Sequence, residues 1–354
     1  MSLHLHFLDV GQGDATIVEL PGYFGLIDFA SAPAAKTVVS AAVRDQLNKG
    51  NIFLFAAATH FDDDHVGGLP SILDIQEPQY FLLPAVGLEL IEQWARSIVP
   101  ELSVLASIQR LFGSTAHRIK CDAGVSVPFL SVVPDLECVV LSPDCHVEDE
   151  LRCLLNGNKP DSLLMRKLIA MRNRASLALY LSYKGSSAVL LAEIHGDQYP
   201  NIWEIICQFL RGKYREPCVV KLAHHGAREN NPEELFTYFG RKGVLMSVSA
   251  GAQYGHPDVE VLAQVEQTGA IPACSNLGQG CERLIPLVSR PPDLAAWKLT
   301  QTGLNKTVPG KPKCYGSIRV ELASRGTSHV AFQTVQMRCP FGGLPTASAL
   351  LPIR

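Results

Sequence analysis

The stretch "THFDDDHVGG", Thr59 to Gly68, places two histidines and three aspartates within six consecutive residues. It directly follows "NIFLFAAA", Asn51 to Ala58, whose almost wholly apolar composition predicts a buried strand. Gly67 and Gly68 close the stretch, and glycine allows the backbone to turn tightly at that point. Because loops that follow strands often carry functional side chains, the stretch predicts a site at the end of a strand.

The side chains of this stretch are those that bind transition metals. In an extended chain His60, Asp62 and Asp64 lie on one side, and a turn in the loop brings His65 to the same point. Imidazole and carboxylate together suit zinc, manganese or iron. An acidic turn with incidental histidines is the alternative, and the spacing H-x-D-x-D-H after a buried strand argues against it. With Asp63 included, the segment holds more ligands than one ion needs. It therefore predicts two divalent ions, Zn or Mn, with one ion as the alternative.

The overall composition is that of a globular protein without a basic surface. The chain has 354 residues, of which 47% are hydrophobic and 18% are charged, so a large core is expected. A formal net charge of -3 excludes a protein-wide basic field, and any phosphate binding would have to be local. Ten cysteines without a C-x-x-C pair are expected to be reduced core residues. With no signal peptide and no apolar run of transmembrane length, a cytoplasmic protein with no membrane contact is expected.

Apolar periodicity predicts strands and helices that are interleaved twice along the chain. Short apolar runs predict strands near both ends and in the middle, including "VSVPFLSVV", residues 125–133. Longer runs with helical spacing predict helices, including residues 87–112 with an interruption near Pro100. This mixed order predicts sheets covered by helices in a layered α/β protein.

Further histidines follow other predicted strands. The strand "CVVKLAHHG" ends in His224 and His225, and neighbours on a strand point to opposite sides. One is therefore expected to bind metal, and the other to contact substrate or to pack. His256 in "YGHP" is expected either to contact a phosphate and protonate a leaving group, or to be a turn histidine held by Pro257. The basic run "MRKLIAMRNR", Met165 to Arg174, is interpreted as a solvated helix face rather than a positive rim for phosphates.

Several of these motifs occur in the order known from one protein superfamily. They are "DVGQGD" (Asp9 to Asp14), "LIDFA" with Asp28, "THFDDDHVGG", N-x-x-S at Asn173 and Ser176, "KLAHHG" (Lys221 to Gly226), "SAGAQYGHP" (Ser249 to Pro257) and "KCYGSIRVEL" near residue 314. Over roughly residues 4 to 325 the chain resembles the metallo-β-lactamase superfamily, and within it the soluble hydrolase domain of the ComEC competence-protein family. The membrane channel of the competence proteins has no counterpart here, so DNA uptake is not implied.

The resemblance implies a fold and an organisation of the chain. The implied fold is α/β, a metallo-β-lactamase αββα four-layer sandwich in which two mixed β-sheets are covered by helices. Its metals would lie at one edge of the two sheets. Residues 1–325 are expected to form this hydrolase domain, and residues 326–354 a C-terminal extension that is either a strand or a tail.

The resemblance also assigns roles to individual residues. The implied metal ligands are His60, Asp62, Asp64, His65, Glu193 and one of His224 and His225. Residues that would orient or brace these ligands are Asp9, Asp14 and Asp28. The implied substrate contacts are Asn173, Ser176, Lys221 and Tyr254. Asp64 would orient the attacking water or accept its proton, and His256 would assist the leaving group.

One motif departs from the pattern of the superfamily. The strand that normally ends in Gly-Asp, with the Asp bridging both metals, reads "AVLLAEIHGD" here. Glu193 and Ile194 occupy the two expected positions. Either Glu193 replaces the bridging Asp, or His195 or Asp197 serves instead, or the second metal is weak or lost. The first interpretation is favoured, because a longer carboxylate can also bridge.

The predicted function is metal-dependent hydrolysis by a metal-activated water, with phosphodiesters as the leading substrate class, as in a nuclease or phosphodiesterase. The expected partner is then nucleic acid or a nucleotide. The alternative is a catalytically impaired protein of the same fold that binds a nucleotide or a protein partner, with the C-terminal extension as a docking segment. A weaker alternative is hydrolysis of another ester or a lactam, because one fold hosts many chemistries.

Overall fold

The structure is a computed structural model of the 354-residue chain. It describes residues 3–8, 10, 13–97, 102–127, 132–144, 146–156, 162–184, 186–195, 202–213, 217–240, 244–248, 256–274, 317–322, 334–338 and 348–350. Asp9 and Tyr254, predicted as a bracing residue and a substrate contact, lie outside the described residues, as does Asp197.

The described strands and helices alternate in the mixed order expected from the sequence. The strands are β1 Leu3–Phe7, β2 Thr16–Leu20, β3 Tyr23–Ile27, β4 Ile52–Ala57, β5 Tyr80–Pro84, β6 His117–Cys121, β7 Leu136–Ser142, β8 Ala178–Tyr183, β9 Ser186–Leu190, β10 Val219–Lys221, β11 Leu245–Val248, β12 Ile271–Cys274, β13 Ser317–Leu322, β14 Thr334–Arg338 and β15 Ser348–Leu350. The helices are α1 Pro33–Asn48, α2 Asp63–Val66, α3 Leu69–Leu73, α4 Leu88–Ser97, α5 Leu102–Gly113, α6 His146–Leu155, α7 Ser162–Arg174, α8 Ile202–Lys213, α9 Glu233–Phe239 and α10 Val259–Gln267.

The strands form two mixed sheets. The larger sheet has nine strands in the order β15-β14-β13-β1-β2-β3-β4-β5-β6, and the smaller has six in the order β12-β11-β10-β9-β8-β7. In the larger sheet β3 to β6 run parallel, and the remaining neighbours are antiparallel. In the smaller sheet β9 to β12 run parallel, whereas β7 and β8 are antiparallel. The carboxyl ends of β3, β4, β9 and β10 are therefore where loops can gather side chains.

Three buried apolar layers separate the sheets from each other and from the helices. The central layer joins Leu5 and Leu54 of the larger sheet to Leu179 of the smaller one. A second layer lies between the larger sheet and helices α1 and α3 to α7, and it includes Val39 of α1. A third lies between the smaller sheet and helices α8 to α10, and it includes Phe236 of α9. Three apolar layers require four layers of secondary structure, so the predicted αββα sandwich is confirmed.

Some predicted elements differ from those observed. The described part of the predicted strand at residues 125–133 makes one isolated antiparallel bridge to β7, between Ser126 and Val139, and no longer strand. The Val127 amide donates to the Cys138 carbonyl and the Val140 amide to the Val125 carbonyl, both at 3.0 Å, and Val127 and Val133 are buried between the sheets. Strand β6 was missed because its residues are mostly exposed and show no apolar alternation. In the predicted extension, β14 and β15 continue the nine-stranded sheet beyond β13.

Two further expectations concern membranes and cysteines. No helix in the described ranges is both long and apolar enough to cross a bilayer. The cysteines whose side chains the structure describes are all free, and they are Cys121, Cys138, Cys153, Cys207 and Cys218.

Gly68 fixes how closely the acidic loop approaches the end of β3. The φ angles of Gly67 and Gly68 are −65° and −85°, so neither residue needs the left-handed conformation. Instead, a Cβ atom on Gly68 would lie 2.3 Å from the carbonyl oxygen of Phe29. The Gly68 amide donates a hydrogen bond of 2.6 Å to that same oxygen. Close backbone approach, rather than turn conformation, is therefore the reason for this glycine.

Replacing Gly68 by alanine is expected to lower the free energy of unfolding by about 1 to 3 kcal/mol, because the backbone must move to admit the methyl group. Urea unfolding followed by circular dichroism measures the change. Gly113→Ala is the matched control, since a Cβ atom there meets nothing within 4 Å. That control should change stability by no more than about 1 kcal/mol. Equal losses in the two variants would contradict the assignment.

Candidate metal centre

The candidate centre lies where the ends of the two sheets meet. The loop "THFDDDHVGG" follows β4 of the larger sheet, while Glu193 follows β9 and His224 follows β10 of the smaller sheet. The Leu177 amide, just before β8, donates a hydrogen bond of 2.7 Å to the Thr59 carbonyl and so ties the two sheets together. At this edge the structure brings several of the predicted histidines and acidic residues together.

Asp28 orients the first two histidines. Its buried carboxylate accepts hydrogen bonds from the Thr59 amide at 2.8 Å and from the Thr59 hydroxyl at 2.8 and 2.9 Å. His65 Nδ1 lies 3.0 Å from Asp28 Oδ2, and His60 Nδ1 lies 3.1 Å from the Thr59 hydroxyl oxygen. In the tautomers that carry hydrogen on Nδ1, these oxygens accept that hydrogen, and the Nε2 atoms of both rings are then available as metal ligands. Asp28 thus has the bracing position predicted for it.

The Glu193 carboxylate lies between four imidazole rings. Its Oε1 atom is 3.2 Å from Nε2 of His65 and 3.2 Å from Nε2 of His225. Its Oε2 atom is 3.3 Å from Nε2 of His60 and 3.9 Å from Nε2 of His224. Glu193 therefore lies at the centre of the histidine cluster, and its role as a replacement for the bridging Asp stays a prediction.

Ile194 and His195, the residues that follow Glu193, do not share this position. Ile194 is buried in the apolar layer beneath helices α8 to α10. His195 is half-buried, and the groups of three or more metal-ligand side chains found among the described residues do not include it.

Glu193 and His65 are both buried, and the charge of each shifts the pKa of the other. Burial alone would raise the pKa of Glu193, but the imidazoles of His60, His65 and His225 hold it well below its usual value. Burial alone would lower the pKa of His65, but the carboxylates of Asp28, Asp64 and Glu193 raise it well above its usual value. Without a metal ion, protons supply the positive charge that this arrangement requires.

His60 provides the clearest sign that the residues fit a metal ion. Its side chain is fully buried, and its Nε2 atom has no hydrogen-bond partner among the described residues. That atom faces Glu193 Oε2 at 3.3 Å and Asp62 Oδ2 at 3.8 Å. A ring nitrogen that faces two carboxylates is stabilised by a proton or a metal ion between them. The donor set of imidazole and carboxylate matches zinc, manganese or iron.

The three aspartates of the loop have different surroundings. Asp64 groups with His65 and His225, and one ligand atom of each lies within 4.8 Å of the others. Asp62 directs Oδ2 towards His60, while its Oδ1 forms an ion pair of 2.6 Å with Arg172 Nη1. These two aspartates keep their predicted positions near the site.

Asp63 is turned away from the other four side chains of the loop. Its carboxylate accepts short hydrogen bonds from the hydroxyls of Ser31 and Ser103. The expectation that all five side chains hold metal is therefore wrong for Asp63, because helix α2 begins at this residue and rotates it towards α5.

The neighbouring His224 and His225 occupy different environments. His225 is 5% exposed and belongs to the group with Asp64 and His65, so the geometry favours it as the ligand. The side chain of His224 is 24% exposed, and its Nδ1 atom lies 3.4 Å from the Asn173 side-chain amide. Burial, together with the neighbouring His225, His256 and His60, lowers the pKa of His224. His224 thus remains at the open side of the site.

Backbone strain is concentrated at this edge. Six described residues other than glycine have positive φ, and four of them belong to the site: Asp28, Ala192, His224 and His225. Such conformations cost energy for side-chain-bearing residues and persist where the surroundings enforce them. The buried Asn231 is part of those surroundings, since its side chain hydrogen-bonds to Ala223 at 2.9 and 3.1 Å and to the Ala227 carbonyl at 2.7 Å. Sequence reasoning missed Asn231, and a polar residue shortly after "HHG" was the available signal.

The remaining predicted substrate contacts separate into an open group and a buried group. His256 is half-buried, its ring centroid lies 6.0 Å from that of His224, and burial lowers its pKa. With Asn173 it lies at the open side. Ser176 is fully buried, and its hydroxyl has no hydrogen-bond partner in the described part of the chain. The structure therefore gives Ser176 no surface for a substrate.

Lys221 also differs from the predicted substrate contact. It is 5% exposed, and its ammonium is in short contact with the carboxylate of Asp14, which is 5% exposed as well. Burial by itself would lower the pKa of Lys221 to about 7, whereas the adjacent Asp14 carboxylate favours the charged ammonium. The Asp14 amide also bonds to the Asp64 carbonyl at 3.3 Å. The pair therefore links β10 to the acidic loop from inside.

Arg172 is a site residue that sequence reasoning dismissed. Arg166 and Lys167 of α7 are exposed, as expected for a solvated helix face. Arg172 and Arg174 are only 15% and 22% exposed and pair with Asp62 and Glu150. The interpretation as a solvated face is therefore wrong for the last turn of α7, because that turn packs beside the acidic loop.

Comparison with known proteins yields similarity in structure only. The chain matches no protein-family model and no curated protein sequence. It is similar to the metallo hydrolase Igni18 of Ignicoccus hospitalis, with 14% identity, 77% of this chain and 94% of that chain covered, and a TM-score of 0.41. It is similar to the metallo-β-lactamase fold protein YhfI of Bacillus subtilis, with 8% identity, 76% and 96% covered, and a TM-score of 0.42.

The diiron β-hydroxylase CmlA of Streptomyces venezuelae is a third similar structure, with 11% identity, 78% of this chain and 53% of that chain covered, and a TM-score of 0.46. At such identities and scores, the activity of this chain has to be inferred from its own side chains.

Removing one partner of the buried pair between Lys221 and Asp14 is expected to destabilise the fold. Lys221→Met leaves the Asp14 carboxylate buried and unpaired, which costs about 3 to 5 kcal/mol of unfolding free energy. In the double variant Lys221→Met/Asp14→Asn, the loss should be clearly smaller than the sum of the two single losses. Urea unfolding of the three variants measures this coupling. Simple additivity would show that the two side chains do not interact.

Proposed function

We propose that the protein is a metal-dependent hydrolase that cleaves phosphodiester bonds in nucleic acid or a nucleotide, similar in this respect to the soluble hydrolase domain of the ComEC family. The observation that carries the proposal is the Glu193 carboxylate enclosed by imidazoles. The Nε2 atoms of His60 and His65 lie 3.3 and 3.2 Å from its two oxygens. Protonated imidazoles or metal ions stabilise this arrangement, and the donor types are those of zinc and manganese sites.

Two overlapping donor groups would hold metal ions here. His60, His65 and Glu193 form one group, and Asp64, His65 and His225 form the other. Asp62, whose Oδ2 atom lies 3.8 Å from His60 Nε2, would add a carboxylate to the first group. When bound, divalent ions at such sites lower the pKa of a water molecule, to about 7 for zinc, and stabilise charge developing on phosphoryl oxygens.

The protein residues around these donors have complementary tasks. Asp28 holds the His60 and His65 rings with their Nε2 atoms directed inward, which spares them reorientation during the reaction. Asp64, with a partly exposed side chain, is placed to orient a water molecule or to accept its proton. His256 and His224 lie together on the open side, where one of them can donate a proton to the leaving oxygen.

A phosphodiester substrate agrees with the charge of the protein. Because the net charge is -3, attraction of an anionic substrate has to come from local groups. The open side offers the His224 and His256 imidazoles and the Asn173 amide as hydrogen-bond donors. None of these groups carries a negative charge, so a phosphate there meets no opposing charge from them.

The rival interpretation is a catalytically impaired protein that binds a nucleotide or a protein partner. It depended on the loss of the Gly-Asp carboxylate. The distances from Glu193 to the imidazoles favour the enzyme, since a carboxylate stands at the centre of the cluster after all. If the protein binds metal but hydrolyses no substrate, the interpretation as a catalytically impaired binding protein is favoured.

The aspartates of the loop allow a matched test of the proposal. Asp64→Asn is expected to remove at least one metal ion per chain and to lower hydrolysis of bis(p-nitrophenyl) phosphate with added manganese by about 100-fold or more, because a ligand and water-orienting group is lost. Asp63→Asn should keep both metal content and activity, since Asp63 faces Ser31 and Ser103. Mass spectrometry of bound metal and steady-state kinetics give the two readouts.

Three outcomes of this test are informative. Loss in Asp64→Asn together with retention in Asp63→Asn supports the proposed hydrolase. Undiminished turnover in Asp64→Asn would falsify the assignment of this site. Metal binding by the wild type without turnover on phosphodiesters, carboxylic esters or β-lactams would favour the binding protein.

Arg172 is expected to position Asp62 for metal binding. Because Asp62 Oδ1 is held by Arg172 at 2.6 Å, only Oδ2 is turned towards His60. Arg172→Met should raise the dissociation constant for zinc by about 10- to 100-fold without removing a ligand, and Arg172→Lys should recover part of the loss. Arg166→Met, exposed on the same helix, is the control and should bind zinc like the wild type. Zinc competition with a chelating dye measures the constants, and equal affinities for all four proteins would contradict this role.

A further inference from the structure

A second group of metal-ligand side chains lies on the first two strands, away from the candidate metal centre. His4 and His6 alternate with the buried Leu3, Leu5 and Phe7 and therefore share the other face of β1. Glu19 of β2 is the direct partner of His4 in the antiparallel register. One ligand atom from each of His4, His6 and Glu19 lies within 4.8 Å of the others. We propose that His4, His6 and Glu19 form a second metal site, which binds an accessible zinc ion and is separate from the candidate metal centre.

The trio of His4, His6 and Glu19 has distances between its ligand atoms that are close to those of a zinc site. His6 Nε2 lies 2.7 Å from Glu19 Oε2, and His4 Nδ1 lies 3.7 Å from the same oxygen. Ligand atoms around a tetrahedral zinc ion lie about 3.3 Å apart, given bonds of about 2.0 Å. Shifts of less than about 1 Å in three side chains would therefore form the site. Three protein ligands leave the fourth position to water.

Burial around the trio favours an ordered but reachable ion. The side chains of His4, His6 and Glu19 are 16%, 19% and 15% exposed, so an ion can enter without unfolding. They are also too enclosed to rotate freely. The ordering cost of binding is therefore small compared with that at three fully exposed side chains.

Helix α1 orients the carboxylate of the trio. The Gln46 amide, which is 2% exposed, donates a hydrogen bond of 3.2 Å to Glu19 Oε2. The Asn51 amide in turn donates a hydrogen bond of 2.8 Å to Gln46 Oε1, which fixes the direction of the Gln46 side chain. Partners that fix a ligand in this way are typical of metal sites, and they raise affinity.

Among the side chains that the structure describes, Lys49 competes with zinc for Glu19. Lys49 Nζ lies 3.7 Å from Glu19 Oε1, while its shorter contact is 2.8 Å to Asp45. The Lys49 side chain is 42% exposed, so it can turn to Asp45 and solvent when an ion binds. Lys49 thus weakens the site without blocking it.

The trio is separate from the candidate metal centre. Gln46 and Asn51 precede β4, whereas Thr59 and His60 follow it. Six residues of extended strand span roughly 20 Å. An ion at the trio therefore cannot share ligands with Glu193 or His225, and it would tie β1 to β2 near the start of the chain.

Zinc stoichiometry and affinity test the proposal. After equilibration with micromolar zinc, the wild-type chain should hold one ion more than the double variant His4→Gln/His6→Gln, as measured by mass spectrometry. Phosphodiester hydrolysis by the double variant should equal that of the wild type, because the candidate metal centre is intact. Lys49→Gln should bind this additional ion about three- to fivefold more tightly in calorimetric titration, because a positive charge near Glu19 is removed.

Each outcome decides for or against the site. Equal zinc content in the wild type and in His4→Gln/His6→Gln overturns the proposal, and so does unchanged affinity in Lys49→Gln. If the double variant is unstable, Glu19→Gln replaces it, since glutamine keeps the bond to Gln46 but is a poor zinc ligand. Retention of the additional ion by Glu19→Gln would then exclude Glu19 as a ligand.

Discussion

The candidate metal centre depends on the buried carboxylate of Asp28. Because that carboxylate accepts hydrogen bonds from Thr59 and from His65 Nδ1, both imidazoles of the acidic loop present their Nε2 atoms inward. The hydroxyl of Thr59 extends this control to His60. An asparagine at position 28 could not impose the same ring orientation, since its amide can donate as well as accept a hydrogen bond. One short chain of hydrogen bonds therefore decides what the whole edge can bind.

The resulting electrostatic arrangement is unfavourable without cations. Acceptor nitrogens from one sheet face the Glu193 carboxylate from the other, and protons or metal ions have to fill the space between them. The positive φ angles of Asp28, His224 and His225 show that the backbone is strained to reach this arrangement. Functional sites commonly contain strained or charged arrangements that lower the stability of the fold.

The rest of the molecule supplies the rigidity that this strain requires. The central apolar layer holds the two sheets face to face, so that β4 and β9 end at the same edge. The hydrogen bond from Leu177 to Thr59 and the buried pair of Lys221 with Asp14 then join the sheets close to the donors. Neither sheet alone carries both Asp28 and Glu193, so the centre exists only in the assembled sandwich.

The sequence by itself determined the layered α/β architecture and the location of the centre. Apolar periodicity is a local property, and it predicted the strands that end in "THFDDDHVGG" and "KLAHHG" as well as most helices. Strand β6 was missed because its residues are mostly exposed and follow no regular period, and the described part of residues 125–133 makes only one isolated bridge to β7. Ligand types, and the favoured choice of Glu193 over His195, could also be inferred before any distances were known.

Only the tertiary structure decided the direction of individual side chains. The start of α2 turned Asp63 away while Asp62 and Asp64 stayed at the edge, and the last turn of α7 brought Arg172 to Asp62. Lys221 proved to be an internal ion-pair partner of Asp14, more than 200 residues away in sequence. A motif fixes which residues are adjacent along the chain, but partners across two sheets are chosen by packing, which no local pattern encodes.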